Sequence, residues 1–158
     1  VLSGPPGSIA NAERLIIDDL VRNHVQCLLG PTVGGKGKIE ARNKTFEAGQ
    51  ILENAGITFG LITDAPFVPI EGQLLQAALY VKNGLSREMA LKCLTINNAI
   101  ITDIDSRVGS LEPGKDADVV IWDVEPLATL SQVGIVIIDG QIAYRRKAGE
   151  SNVDYQKL

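Results

Sequence analysis

The stretch Ile57-Thr58-Phe59-Gly60-Leu61-Ile62-Thr63-Asp64 decides the fold class of this chain. It is mostly apolar up to its final aspartate, which is typical of a strand that is buried on both faces of a parallel sheet. A second apolar run, Val25 to Leu29, ends at Gly30-Pro31 and predicts another such strand. Two runs of this kind with a helical pattern between them predict a parallel sheet in an α/β fold.

Helical patterns surround these two runs. Apolar residues recur at helical spacing in Asn11 to Asn23, Phe46 to Asn54 and Glu71 to Asn83. A further helix is predicted from Ser86 to Leu94, because a serine side chain can cap the N-terminus and Glu88 suits the dipole of the first turn.

The pattern changes near residue 105, where short β runs separated by turns replace the alternation of strand and helix. These runs are Val119 to Trp122, Val133 to Ile138 and Ile142 to Tyr144. Asp139-Gly140 separates the last two runs, and Asp-Gly between apolar runs is a strong hairpin signal. We therefore predict an α/β portion over residues 1–105, a small β appendage over 106–147 and a flexible tail over 148–158.

Composition excludes several classes of protein. The chain has 158 residues, 45% hydrophobic and 22% charged, which is typical of globular material of one domain's size. Its net charge of -4, without a basic cluster, argues against nucleic-acid binding, and no apolar run is long enough to span a membrane. Both cysteines lie in apolar runs, which predicts buried reduced thiols and a cytoplasmic location. The start lacks both a signal-peptide pattern and an initiator Met, so we expect a processed or excerpted chain.

Asp64 is the leading candidate for chemistry. A carboxylate at the C-terminal end of a parallel strand stands where α/β proteins build their active sites. The structural alternative is a helix cap or turn residue before Ala65-Pro66. His24 is the only histidine and precedes a predicted strand, a position more typical of a surface or cap residue. A zinc site normally needs three protein ligands, and one histidine with two buried cysteines does not supply them.

A second motif points to a different function. Gly30 to Lys36 matches the G-x-x-x-x-G-K pattern of phosphate-binding loops and follows a predicted strand. The pattern requires a Ser or Thr next, to hold magnesium, but Gly37 stands there. The stretch therefore predicts either an incomplete nucleotide site or a solvated loop.

An ordered series of segments resembles the amidohydrolase superfamily, and most closely its branch of imidazolonepropionase-like proteins. The segments are Thr63 to Pro66, Leu74 to Leu79, Gly84 to Lys92, Leu94 to Ala99, Arg107 to Val120 and Val136 to Gly140. The resemblance runs from about residue 25 to about residue 145. Its most specific part is GSLEPGKDADVVIWD, Gly109 to Asp123.

The resemblance implies the C-terminal part of a TIM-like (β/α)8 barrel followed by a small β-sandwich segment. Residues 1–105 would be the last βα units of the barrel, and 106–147 would be strands of a sandwich built from both chain ends. Asp64 would bind a divalent metal, zinc above all, and take a proton from the metal-bound water. The Gly30 to Lys38 loop would follow barrel strand seven, and the Gly109 to Asp118 turn would be structural.

Departures from the family pattern limit what this chain does by itself. The paired His-x-His and the ligands of the middle strands are absent, and Ser3-Gly4 is at best a weak equivalent of one further ligand. We expect a C-terminal fragment of a hydrolase that cleaves C–N bonds of cyclic amides or amide-like small molecules, inactive in isolation. The alternatives are a non-catalytic binding or assembly domain and a nucleotide-binding protein.

The expected partners are a small-molecule substrate and the missing N-terminal barrel portion, supplied by the same chain or a second one. Nucleic acid and membrane are not expected as partners, and self-association into a homo-oligomer is left open.

Overall fold

The computed structural model describes residues 17–33 and 45–147 of the chain. The chain divides into two compact units between Ser110 and Leu111. The predicted boundaries at residues 105 and 147 and their assignment to barrel and sandwich stay predictions. The tail predicted over residues 148–158 and the N-terminal part of the first predicted helix lie outside the described residues. Within the described ranges, every helix is too short or too polar to cross a membrane.

A pair of parallel strands forms the centre of the first unit. Strand β1 spans Cys27–Leu29 and strand β2 spans Phe59–Leu61, with Cys27 opposite Phe59 and Leu29 opposite Leu61. The parallel pairing predicted from the two apolar runs is confirmed, although both strands are shorter than the runs. A closed barrel stays a prediction.

Five α-helices accompany this pair in the described residues. They are α1, described over 17–22, α2 at Ala48–Asn54, α3 at Gln73–Lys82 after a 3-10 turn at Ile70–Gly72, α4 at Arg87–Leu94 and α5 at Ile96–Ile101. The cap of α4 is the predicted one, since the Ser86 hydroxyl accepts from the Met89 N–H at 3.1 Å. Helix α5 was not predicted, because its asparagines are weak helix formers and its packing against α4 and β2 favours it instead.

The core of the first unit surrounds β2. The side chains of Phe59 and Leu61 are completely buried, and so is Tyr80, whose ring meets Phe46 edge to face at 5.1 Å between centroids. Both cysteines are reduced and buried, as predicted. Burial raises the pKa of Cys93 to about 12, so this thiol stays protonated and unreactive at neutral pH.

The edge of β2 that faces away from β1 is closed by side chains. The Phe59 carbonyl accepts from Asn97 Nδ2 at 2.8 Å and from the Cys93 thiol at 3.1 Å. The Leu61 carbonyl accepts from Gln73 Nε2 at 2.5 Å and from Asn98 Nδ2 at 3.1 Å. Helices α3, α4 and α5 thus supply donors where a neighbouring strand would otherwise pair.

The described part of the second unit is an antiparallel sheet of order β3-β4-β5. Its strands are Val119–Trp122, Val133–Ile138 and Gln141–Arg145. Asp139 and Gly140 join β4 to β5 with φ angles of 50° and 74°, the left-handed pair of a two-residue type I′ turn. The predicted hairpin is confirmed, while the second layer of the predicted sandwich stays a prediction.

Asp123 connects the ends of β3, β4 and β5 through hydrogen bonds. Asp123 accepts from the Gln132 backbone N–H at 2.9 Å and from the Arg146 guanidinium at 3.2 Å. The Gln132 hydrogen bond first, and the nearby Arg146 charge after it, hold the pKa of Asp123 below its ordinary value.

We predict that Asn97→Leu destabilises the first unit by about 1–3 kcal/mol, because the buried Phe59 carbonyl loses its amide donor. Urea denaturation of the purified chain measures the free energy of unfolding. Asn83→Ala is the matched control, since Asn83 makes a bond of 2.7 Å to a main-chain carbonyl at an exposed site. Equal losses for the two variants would contradict the proposed importance of burial.

We predict that Asp123→Asn destabilises the second unit at pH 7. A carboxyl with a lowered folded pKa stabilises the fold above its unfolded pKa, about 3.9, and that contribution disappears as pH falls through the folded value. The Tm difference between wild type and variant should therefore shrink below about pH 4. Asp103→Asn removes an exposed charge from the first unit and controls for the change in net charge. A Tm difference between wild type and Asp123→Asn that does not depend on pH would contradict a stabilising role of the ionised Asp123 carboxylate.

Candidate functional site

The candidate site lies at the C-terminal ends of β1 and β2. Because the two strands are parallel and in register, these ends are adjacent. The chain leaves β1 through residues 30–33 and leaves β2 through residues 62–67. A cis peptide bond follows each strand, at Gly30–Pro31 and at Ala65–Pro66. Adjacent ends of parallel strands are where α/β folds carry their sites.

Asp64 occupies the turn that follows β2. Its side chain is exposed, its φ is 53°, and its carbonyl accepts from the Phe67 N–H at 2.9 Å. Asp64 therefore lies in a turn and does not cap a helix, since the next helical segment begins after Pro69. Its role in chemistry stays a prediction. A left-handed backbone costs about 1–2 kcal/mol for most residues, and aspartate is among the few that tolerate it. The fold thus holds an exposed carboxylate at the strand end in a conformation that most side chains resist.

Gln76 connects the two strand ends from helix α3. Its side chain is completely buried, and its Nε2 donates to the Ile62 carbonyl at 2.9 Å. Its Oε1 accepts from the backbone N–H groups of Thr32 at 2.7 Å and Val33 at 3.4 Å. One carboxamide therefore bridges the segment after β1 and the segment after β2.

This bridge bears on the phosphate-binding motif. A phosphate-binding loop needs backbone N–H groups that face the ligand. Here the N–H groups of Thr32 and Val33 already donate to Gln76, and the Thr32 hydroxyl bonds to that of Tyr80. The nucleotide interpretation is therefore not favoured; the rest of the motif, from Gly34 onward, lies outside the described residues.

Two apolar side chains accompany Asp64 on the same segment. Phe67 is 68% exposed and Ile70 is 70% exposed, an unusual exposure for large apolar residues. The sequence pointed to the segment from Phe67 to Ile70 as a loop that bears on substrate specificity, but it did not assign either side chain to core or surface, because the segment has no periodicity.

A metal site would need more ligands than this chain's described residues bring together. Within residues 17–33 and 45–147, His, Cys, Asp and Glu side chains nowhere gather in a group of three or more that could hold a metal ion. Asp64 could offer one carboxylate, which is short of the three protein ligands of a zinc site. The described residues alone do not fit a bound metal.

His24 lies at the opposite end of the strands. It is exposed and precedes β1, where it lines a cavity of about 260 Å³ together with Gln26 and Thr58. The structure therefore does not bring His24 and Asp64 together, in agreement with the prediction of a surface or cap residue.

Comparison with known proteins identifies relatives of the chain. The model of the amidohydrolase family matches residues 15–143. A crystal structure of an amidohydrolase from Thermotoga maritima MSB8 matches 87% of this chain with 35% identity and a TM-score of 0.82. The amidohydrolase tasK of Hapsidospora irregularis is 34% identical over 65% of this chain, and the imidazolonepropionase of Picrophilus torridus is 49% identical over 26% of it.

The matched region is a small part of each relative. It covers 36% of the Thermotoga chain and 10% each of tasK and the imidazolonepropionase. The chain therefore spans much less than the length of the relatives it matches.

We predict that Asp64→Val lowers the free energy of unfolding by about 1–2 kcal/mol, because a β-branched residue resists the left-handed backbone. Asp64→Asn is the matched control and should stay close to wild type, since asparagine tolerates this conformation. Urea denaturation of the three proteins provides the comparison. Equal stability of the valine and asparagine variants would show that residue 64 is not held left-handed.

Proposed function

Because the chain belongs to the amidohydrolase family, we propose that it is the C-terminal part of a metal-dependent hydrolase that cleaves C–N bonds. The substrates we propose are cyclic amides or amide-like small molecules, and the match to an imidazolonepropionase supports this class. The fold we propose for the complete protein is a (β/α)8 barrel with a β-sandwich, to which residues 1–105 and 106–147 contribute.

Asp64 is the observation that carries this proposal. Its carboxylate is exposed at the C-terminal end of a parallel strand, and the turn that holds it keeps a left-handed backbone. Backbone strain at a strand end is frequent at functional sites, where the surrounding structure holds a side chain in place for chemistry. The family match includes this residue, since it extends from residue 15 to residue 143.

We assign Asp64 the role of proton carrier. Hydrolysis of a C–N bond requires that the attacking water lose a proton and that the leaving nitrogen gain one. A carboxylate within hydrogen-bond reach of both can accept the first proton and deliver the second, and it ends the cycle in its original state. Phe67 and Ile70 would contact the apolar part of the substrate, because both are exposed on the segment that carries Asp64.

Asp64 would also be one ligand of the divalent metal, zinc being our first choice. A bound metal of this kind would lower the pKa of water to about 7 and polarise the substrate. The remaining ligands have to come from outside the described residues, since those residues hold no suitable cluster. For this reason we expect the isolated chain of 158 residues to bind no metal tightly and to be inactive.

The decisive experiment compares the chain alone with the same chain joined to a complementary N-terminal barrel portion. We predict that only the joined protein contains about one or two metals per chain by elemental analysis and hydrolyses cyclic amides. In that protein, Asp64→Asn should lower kcat/KM by about 10²–10⁴-fold, the usual contribution of a general acid–base group.

Asp103→Asn is the matched control, because Asp103 is also exposed and left-handed, with φ 60°, and it follows helix α5 instead of a strand. It should leave kcat/KM within about twofold of wild type, as surface substitutions usually do. Full activity of Asp64→Asn would refute the role assigned to Asp64. Hydrolysis by the isolated chain would refute its dependence on a missing portion.

A further inference from the structure

We propose that Gln76 is a positioning residue of the candidate site. Its carboxamide holds the segment after β1 and the turn that carries Asp64 in one fixed arrangement. This inference rests on the proposed function only in that Asp64 is taken as the reacting carboxylate. The bridge itself stands on contacts within the described residues.

The chemistry of the bridge requires a carboxamide. Gln76 donates to the Ile62 carbonyl at 2.9 Å and accepts from the Thr32 N–H at 2.7 Å. A side chain that serves both partners must carry a donor and an acceptor on the same carbon, which an amide does and an ionised carboxylate does not. Gln76 is completely buried, so an apolar or charged replacement would leave a main-chain group without a partner and without water.

The backbone around the bridge leaves no room for adjustment. Gly30 has φ 136°, and a Cβ at that position would stand 2.1 Å from the Ile62 carbonyl oxygen and 3.1 Å from Gln76 Nε2. The two segments therefore approach closely because Gly30 has no side chain. A shift of either segment would break a hydrogen bond to Gln76 instead of being absorbed by a gap.

Helix α3 holds both segments at several points. Gln73, one turn before Gln76, donates to the Leu61 carbonyl at 2.5 Å. Tyr80, one turn after it, bonds to the Thr32 hydroxyl. Residues three and four apart share one helix face. A single face of α3 therefore forms hydrogen bonds with the end of β2 and with the start of the loop after β1. Gln76 is the member of this face that contacts both.

The test uses amide hydrogen exchange in the purified chain. The Thr32 N–H reports on the bridge, and the Phe67 N–H, which donates to the Asp64 carbonyl, reports on the turn. The Ala90 N–H, bonded to Ser86 at the start of α4, reports on opening of the whole unit. In Gln76→Met, which keeps the length of the side chain but has no amide, exchange at Thr32 and Phe67 should accelerate about tenfold more than exchange at Ala90, which records only the loss of stability of the whole unit.

Gln76→Glu gives a reversible version of the same test. A protonated carboxyl can accept from Thr32 and donate to Ile62, so this variant should resemble wild type at low pH. An ionised carboxylate lacks the donor, so at pH 8 the variant should exchange like Gln76→Met, whereas the protection of wild type relative to Ala90 should not depend on pH. General destabilisation does not produce this recovery.

Equal acceleration of exchange at all three amides would mean that Gln76 only stabilises the unit, and it would overturn the proposal. Faster exchange at Thr32 with no change at Phe67 would also overturn it, because the turn of Asp64 would then not depend on the bridge. The exchange readout needs neither metal nor activity. If Asp64→Asn retains full activity while Gln76→Met behaves as expected, the assigned role of Asp64 fails and the mechanical link between the two segments stands.

Discussion

The parallel register of β1 with β2 is the constraint on which the rest of the first unit depends. It brings two strand ends together, and it directs alternate carbonyls of β2 to opposite edges. The Thr58 carbonyl faces β1 and accepts from Cys27, whereas those of Phe59 and Leu61 face outward. A sheet of two strands in the described residues must then satisfy its outer edge by other means, because buried carbonyls without donors are costly.

Side-chain amides meet this demand. Gln73, Gln76, Asn97 and Asn98 all donate to main-chain carbonyls of β2 or of the residue that follows it. The amide nitrogens of Gln73 and Asn98 are paired, but their buried oxygens accept no hydrogen bond within the described residues. Polar residues thus lie on the inner faces of α3 and α5, where an apolar stripe would be the usual pattern. Such a network orients the helices more strictly than apolar contacts, because each hydrogen bond has one geometry.

Local signals account for what could be predicted. The apolar runs, the Ser86 cap and the Asp139-Gly140 turn each depend on a few neighbouring residues, and the structure confirms all three. The position of Asp64 was predictable for the same reason, because it follows directly on an apolar run that predicts a strand. Helix α5 was not, because its stability comes from packing on α4 and β2 and not from its own weak helix formers.

Family membership and the identity of the candidate carboxylate were thus accessible from the order of residues, because motifs and periodicity are properties of short segments. The bridge through Gln76 was not, because it joins residues 44 positions apart and nothing near Gln76 distinguishes it from a surface glutamine. The left-handed backbone of Asp64 and the use of the Thr32 and Val33 N–H groups were likewise decided by the tertiary structure. Hydrogen bonds between distant segments depend on where the chain brings them together, and only the folded packing determines that.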